Sequence, residues 1–291
     1  VWVMTVFCDW LTVSVPPSSP LLGSLSGFLD CMALGRKQVG KTAEYRPVDG
    51  AGVLHVSETA RWHRVSASGG FLAHLRAQKL FRDYLGLLSE APALSVTRLD
   101  AALDQAVDAA PVVRRLHKAY RDGYAFTRKA VEQTAMFQTR SDGAVTGSVY
   151  FGTQDSTVSM RAYDKQHEAA QKRGEVLPPT LRWELTVQRE IGACLRDAAE
   201  PAALFYRFMA PEFLEKPPGV PDWAPYGERW ACPAPEPRLP AERLLWLLDA
   251  SLDVARLVEL ADECGPEGRR FLLGRLRERL QLDCGGPSVV Q

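Results

Sequence analysis

The eight residues Leu181-Arg-Trp-Glu-Leu-Thr-Val-Gln188, LRWELTVQ, alternate apolar and polar without a break. Successive side chains of a strand leave on opposite sides. Leu181, Trp183, Leu185 and Val187 therefore make a face for a core, and Arg182, Glu184, Thr186 and Gln188 a face of polar groups able to do chemistry. The same residues on a helix would be scattered around its axis.

Two neighbouring stretches repeat the pattern. In Ser95-Val-Thr-Arg-Leu-Asp-Ala-Ala-Leu-Asp104 the period of two puts Arg98, Asp100, Ala102 and Asp104 on one side and Leu99, Ala101 and Leu103 on the other. Thr146 to Lys165 reads as a hairpin whose second arm presents Ser159, Arg161, Tyr163 and Lys165 together. If the three polar faces line one side of a sheet, a phenol, several carboxylates and several cations share one surface.

Elsewhere the pattern predicts a strand over 2–15, a helix from Leu21 to Leu34, and a hairpin within Tyr45 to Ser68. One helical pattern runs from Phe71 to Ser89, another over 109–120, and a short polar helix from Lys165 to Arg173 is ended by Gly174. After Pro211 the chain turns proline-rich, then leucine-rich and amphipathic. The expected organisation is a domain over 1–210, a linker over 211–240 and a helical region over 241–291.

With 291 residues, 46% of them apolar, the chain can bury a substantial core. Its 35 basic residues balance its 35 acidic ones, but residues 1–199 hold 24 against 20, leaving 11 against 15 for the rest. That permits an anionic partner for the front domain without requiring one. Between Arg114 and Lys129, Arg114, Arg115, Lys118, Arg121, Arg128 and Lys129 face one acid, Asp122, with aromatics among them. Such a cluster suits a DNA phosphate track, although taken alone it reads more simply as a solvated helix face.

The six cysteines include no Cys-x-x-Cys pair, so free buried thiols are expected. The apolar start VWVMTVFCDWLTVSV has no basic leader and is interrupted by Asp9. No apolar run reaches the roughly 20 residues of a membrane helix. The reading is a soluble cytoplasmic protein with no membrane partner.

A tyrosine attacking a phosphodiester needs its proton removed and the phosphate gripped, and Arg161 and Lys165 beside Tyr163 would favour the phenolate. Asp100, Glu184 and Asp104 offer the oxygen ligands that Mg2+ or Mn2+ prefers. Each residue also has a plainer role: Tyr163 as a half-buried strand aromatic, Asp100 and Asp104 as a surface pair, Glu184 as a cross-strand salt-bridge partner.

Thr97-Arg-Leu-Asp100 with Asp104, Tyr150-Phe-Gly152 with Asp155-Ser156, Arg161-Ala-Tyr-Asp-Lys165 and Arg182-Trp-Glu184 occur in the order found in a known family. The chain resembles the replication initiation factors, the Rep_trans group of rolling-circle plasmids, conjugative elements and filamentous phages. Cys8-Asp-Trp-Leu-Thr12 and Val65-Ser-Ala-Ser-Gly69 look like the phage and conjugative-element branch.

The resemblance implies an α+β fold, a central antiparallel sheet flanked by helices. It is a nicking-initiator fold that lacks the His-hydrophobic-His metal pair of the wider superfamily, since none of His55, His63, His74, His117 and His167 forms one. It implies that Tyr163 nicks and rejoins single-stranded or melted origin DNA through a 5′-phosphotyrosine link, with the metal near Asp100, Glu184 and Asp104. A host helicase and a second copy of the chain are further expected partners. A conjugative relaxase and a non-cleaving origin-binding regulator are the competing readings. Ala162, where the family carries a bulkier aliphatic residue, points away from the polar face and should affect packing.

Overall fold

The computed structural model describes residues 5–32, 34–48, 52–122, 133–139, 145–152, 156–210 and 213–225, with two short pieces at 265–266 and 269–270. For 120–121, 133–139, 145 and 173 only the backbone is described. Apart from 269–270, the expected C-terminal helices lie outside the described residues, as do Asp155, Arg128 and Lys129.

The alternating stretches form strands because one set of side chains can be buried while the other stays polar. In chain order they are β1 (Val6–Val15), β2 (Leu34–Val39), β3 (Thr42–Pro47), β4 (Leu54–Glu58), β5 (His63–Ser68), β6 (Ser95–Gln105), β7 (Gln133–Thr139), β8 (Val145–Phe151), β9 (Val158–Asp164) and β10 (Leu181–Gln188). They make one ten-stranded sheet ordered β2-β3-β4-β5-β1-β6-β10-β9-β8-β7. Every pairing is antiparallel.

The helices are α1 (Leu21–Asp30), α2 (Gly69–Ala77), α3 (Phe81–Ser89), α4 (Ala109–Arg121), α5 (Lys165–Arg173), α6 (Leu195–Ala199) and α7 (Ala202–Phe208). Leu25, Phe71, Leu75, Leu85, Val113 and Phe205 from the helices join Leu11, Val13, Leu99, Leu103, Leu185 and Trp183 from the sheet in one core. The expected antiparallel α+β architecture is therefore present. The apolar face of β10 is sealed, with Trp183 1% exposed and its indole N–H donating to Gln105 Oε1 at 2.7 Å.

Residues 2–4 of the first expected strand lie outside the described residues, and β1 begins at Val6. Three local expectations change. The helix expected to reach Leu34 ends at Asp30, and Leu34 instead opens β2, which pairs along its whole length with β3. The hairpin expected within Tyr45 to Ser68 is a three-stranded meander, β3 to β5. The single helical pattern over 71–89 is two helices, because Lys79 takes a left-handed φ of 56°. There Leu80 N–H bonds Leu75 O and Lys79 N–H bonds Arg76 O, the paired bonds of a Schellman stop.

Cys8 is a buried free thiol as expected, but Cys31 and Cys194 are only half-buried, since both sit at helix ends. From the expected linker, Leu214 and Trp223 pack against the front domain, with Trp223 donating to Asp197 at 2.9 Å. Among the described residues no helix is long and apolar enough to cross a membrane.

Candidate active site

The register brings the three polar faces together. β6 and β9 lie on either side of β10, with Arg182 opposite both Asp104 and Tyr163, Glu184 opposite Arg161, and Thr186 opposite Asp100. Tyr163, Arg161, Asp100, Asp104 and Glu184 therefore share one surface, as the alternation of each strand required.

Tyr163 is 4% exposed and its hydroxyl donates to Glu184 Oε2 at 3.3 Å. The same oxygen accepts from Arg161 Nη2 at 2.7 Å, and the Arg161 guanidinium lies 4.4 Å from the centre of the Tyr163 ring. Lys165 also approaches that ring, at 5.7 Å, while its ammonium bonds Glu168 at 2.6 Å. Partial burial would raise the Glu168 carboxyl, but hydrogen bonds from Lys165 and Lys172 outweigh it and bring its pKa down to about 2.

The cations do not favour the phenolate as expected. Burial, and then the charge of Glu184, push the Tyr163 pKa up, and Arg161 and Arg182 only partly offset them. Burial dominates: Arg161 and Arg182 pull the phenol down, but Arg161 is held by Glu184, whose negative charge beside the hydroxyl adds to the rise.

The carboxylates expected to hold a metal are paired in the same way. Arg98 grips both oxygens of Asp100, at 2.9 and 2.6 Å, and Arg182 grips both of Asp104, at 2.6 and 2.7 Å. No group of three or more His, Cys, Asp or Glu able to hold a metal ion occurs among the described residues. As placed, Asp100, Glu184 and Asp104 do not form a shell for Mg2+ or Mn2+, although their oxygens are the donors such an ion prefers. Asp100, 2% exposed, is pushed up to about 6 by burial, against the pull of Arg98 and with a further push from Glu184.

Asp9 was not singled out from sequence. It accepts from Arg182 Nη1 at 3.1 Å, so one guanidinium joins β1, β6 and β10. In regular alternation Asp9 would lie with Leu11 and Val13 toward the core. A bulge between Cys8 and Trp10 releases it to the polar side. Gly69 makes room, since a Cβ there would collide with Asp9 Oδ1. The sequence signal was an acid in the apolar phase of a strand, a placement that a buried charge tolerates only with a partner.

The basic helix does not join the site. α4 packs its Val113 and Leu116 into the core with Val149 and Ala162, on the opposite side of the sheet from Tyr163. Its Arg114, Arg115 and Lys118 are exposed, and the side chain of Arg121 is not among those described.

No curated protein matches the chain. A solved structure described as that of a rolling circle replication initiator protein from Geobacillus stearothermophilus is similar at 16% identity and a TM-score of 0.47, over 70% of this chain and 79% of that one. The family model for replication initiation factor matches residues 94–198, so the resemblance carried by the motifs holds over the segment containing Asp100, Tyr163 and Glu184.

Proposed function

We propose that the protein initiates rolling-circle replication by nicking and rejoining origin DNA through a covalent link to Tyr163. The observation that carries the reading is the Tyr163–Glu184–Arg161 cluster, in which a phenol, a proton acceptor and a phosphate-binding cation converge.

In the resting arrangement the phenol stays protonated. A scissile phosphate that draws the Arg161 guanidinium toward itself leaves Glu184 Oε2 free to take the phenol proton. The Tyr163 oxygen then bonds to phosphorus and the bond from phosphorus to the 3′ oxygen breaks. The 3′ oxygen takes up a proton from water and leaves as a hydroxyl that can prime synthesis, while the 5′ phosphate stays on Tyr163. Rejoining runs the same steps backward. Arg161, a planar donor able to bind two phosphate oxygens, holds the charge that builds on the phosphoryl group.

No step above passes through a metal ion. Asp100, Asp104 and Glu184 are the oxygen donors a Mg2+ or Mn2+ ion would approach, and its entry requires their arginines to release them. A non-cleaving origin-binding regulator is favoured by one observation, the burial of Tyr163, which is 4% exposed and keeps its phenol protonated.

The test is incubation of the protein with single-stranded oligonucleotides from its own replicon, with Mg2+, with Mn2+ and with chelator, scored for a covalent adduct. The expected result is an adduct that Tyr163→Phe abolishes. Binding of the same oligonucleotides without any adduct would establish the regulator instead.

A further inference from the structure

We infer that the outer strands β2 to β5 form a second DNA-binding surface, one that holds the phosphates of duplex DNA about one helical turn from the nick. The inference rests on the nicking reading for its partner and lies outside the segment that matches the family.

Residues 34–68 carry Arg36, Lys37, Lys41, Arg46, Arg61 and Arg64 against Glu44, Asp49 and Glu58, a balance of six to three in a region where the rest of the front domain is nearly neutral. All six cations are exposed. Only Arg46 makes an ion pair, to Glu44 at 3.1 Å, among the described residues. Arg36 stacks on Tyr45. Lys37, Lys41, Arg61 and Arg64 keep their charge available to a ligand.

The register fixes which face of the sheet carries this charge. Trp10 and Thr12 lie opposite Asp100 and Arg98, Thr12 opposite Ser66, Ser66 opposite His55, His55 opposite Glu44, and Glu44 opposite Lys37. Arg64 and Arg46, two residues along from Ser66 and Glu44, lie on that same side. Lys37, Arg46 and Arg64 therefore share the sheet face of Tyr163, and Lys41 and Arg61 stand at the turns.

From β9 to β2 the sheet order counts seven strand spacings. At about 4.8 Å each these span roughly 34 Å, close to one turn of B-DNA. The hydroxyls of Thr42, Ser57 and Ser66 on this face are further phosphate donors, and no Phe, Tyr or Trp within β2 to β5 shares the face to stack a base, the exposed Trp62 standing at the β4–β5 turn beside Arg61. Single strands are held by such stacking, duplex backbones by cations and hydroxyls. Charge on an edge strand also guards against edge-to-edge pairing. That role needs β2 alone, whereas Arg64 lies three strands further in and Arg61 at the turn beyond β4.

The experiment uses the full chain and partial duplexes of arbitrary sequence sharing one single-stranded tail, with about 6 or about 18 base pairs, over a range of salt. One duplex stops short of the outer strands and the other reaches them. The wild type should bind the longer probe about tenfold more tightly near 0.1 M salt. Lys37→Gln/Lys41→Gln/Arg64→Gln should remove that gain and lower the salt slope by about 0.9 for each phosphate released. The charge-keeping Lys37→Arg/Lys41→Arg/Arg64→Lys should retain it.

No length gain in the wild type, a gain that survives in the glutamine variant, or its loss in the charge-keeping variant would each overturn the inference. Adducts on the single-stranded probe are scored on the same proteins. A length gain without an adduct contradicts only the nicking reading, and an adduct without a length gain only the outer surface.

Discussion

The two halves of the polar face treat charge in opposite ways. Around β10 the arginines are matched: Arg98 with Asp100, Arg161 with Glu184, Arg182 with Asp104 and Asp9. On β2 to β5 most cations stand alone and exposed. Burial explains the contrast. Asp100 and Glu184 are 2% and 4% exposed, and an unpaired charge at such depth would cost several kcal/mol, whereas an exposed one costs almost nothing. The inner half is thereby fixed in geometry and close to neutral, and the outer half supplies a field.

The largest break in that contrast should come from chemistry. Glu184→Gln keeps the size of the side chain and removes its basicity. It should lower the single-turnover rate of adduct formation on a single-stranded oligonucleotide by about 100-fold or more, in the range typical of general-base removal. The triple glutamine change on the outer strands should leave that rate within about twofold.

Stability should show the same division. Arg182→Ala strands Asp9 and Asp104 beside each other and should cost about 3–5 kcal/mol in denaturant unfolding. Arg64→Ala, at an exposed and unpaired position, should stay within about 0.5 kcal/mol. Equal losses at the two positions would erase the distinction drawn between the halves.

A smaller effect concerns pH. The pKa of Asp100 in the fold is about 6, above its ordinary value of 3.8, so the folded state holds an extra proton between the two. Its contribution to stability is full below about pH 4 and is lost as pH rises through about 6. Asp100→Asn should flatten that part of the stability profile. Arg98 is 45% exposed and can tolerate losing the carboxylate. An unchanged slope would mean that Asp100 titrates as an ordinary acid.

The sequence made the inner half legible through period-two alternation. LRWELTVQ and TRLDAALD each assigned their faces correctly, and the resulting register placed Tyr163, Arg161 and Glu184 together. Pairing across strands is a different kind of information. Nothing local to Arg182 says that Asp104, 78 residues earlier, will occupy its guanidinium, so the cations were assigned to phosphate and the acids to metal.

Asp9 escaped because a bulge reverses the alternation at one position. β2 escaped because LGRKQV is exposed along nearly its whole length and so carries no apolar phase. The split between α2 and α3 depends on one left-handed lysine, which the leucine spacing does not reveal.

The most direct measurement of the central claim is mass spectrometry of the protein after reaction with a single-stranded oligonucleotide from its own origin. A 5′-linked nucleotide on the peptide containing Tyr163, absent from Tyr163→Phe, is the predicted result. An adduct on another residue, or one that persists in Tyr163→Phe, would contradict it.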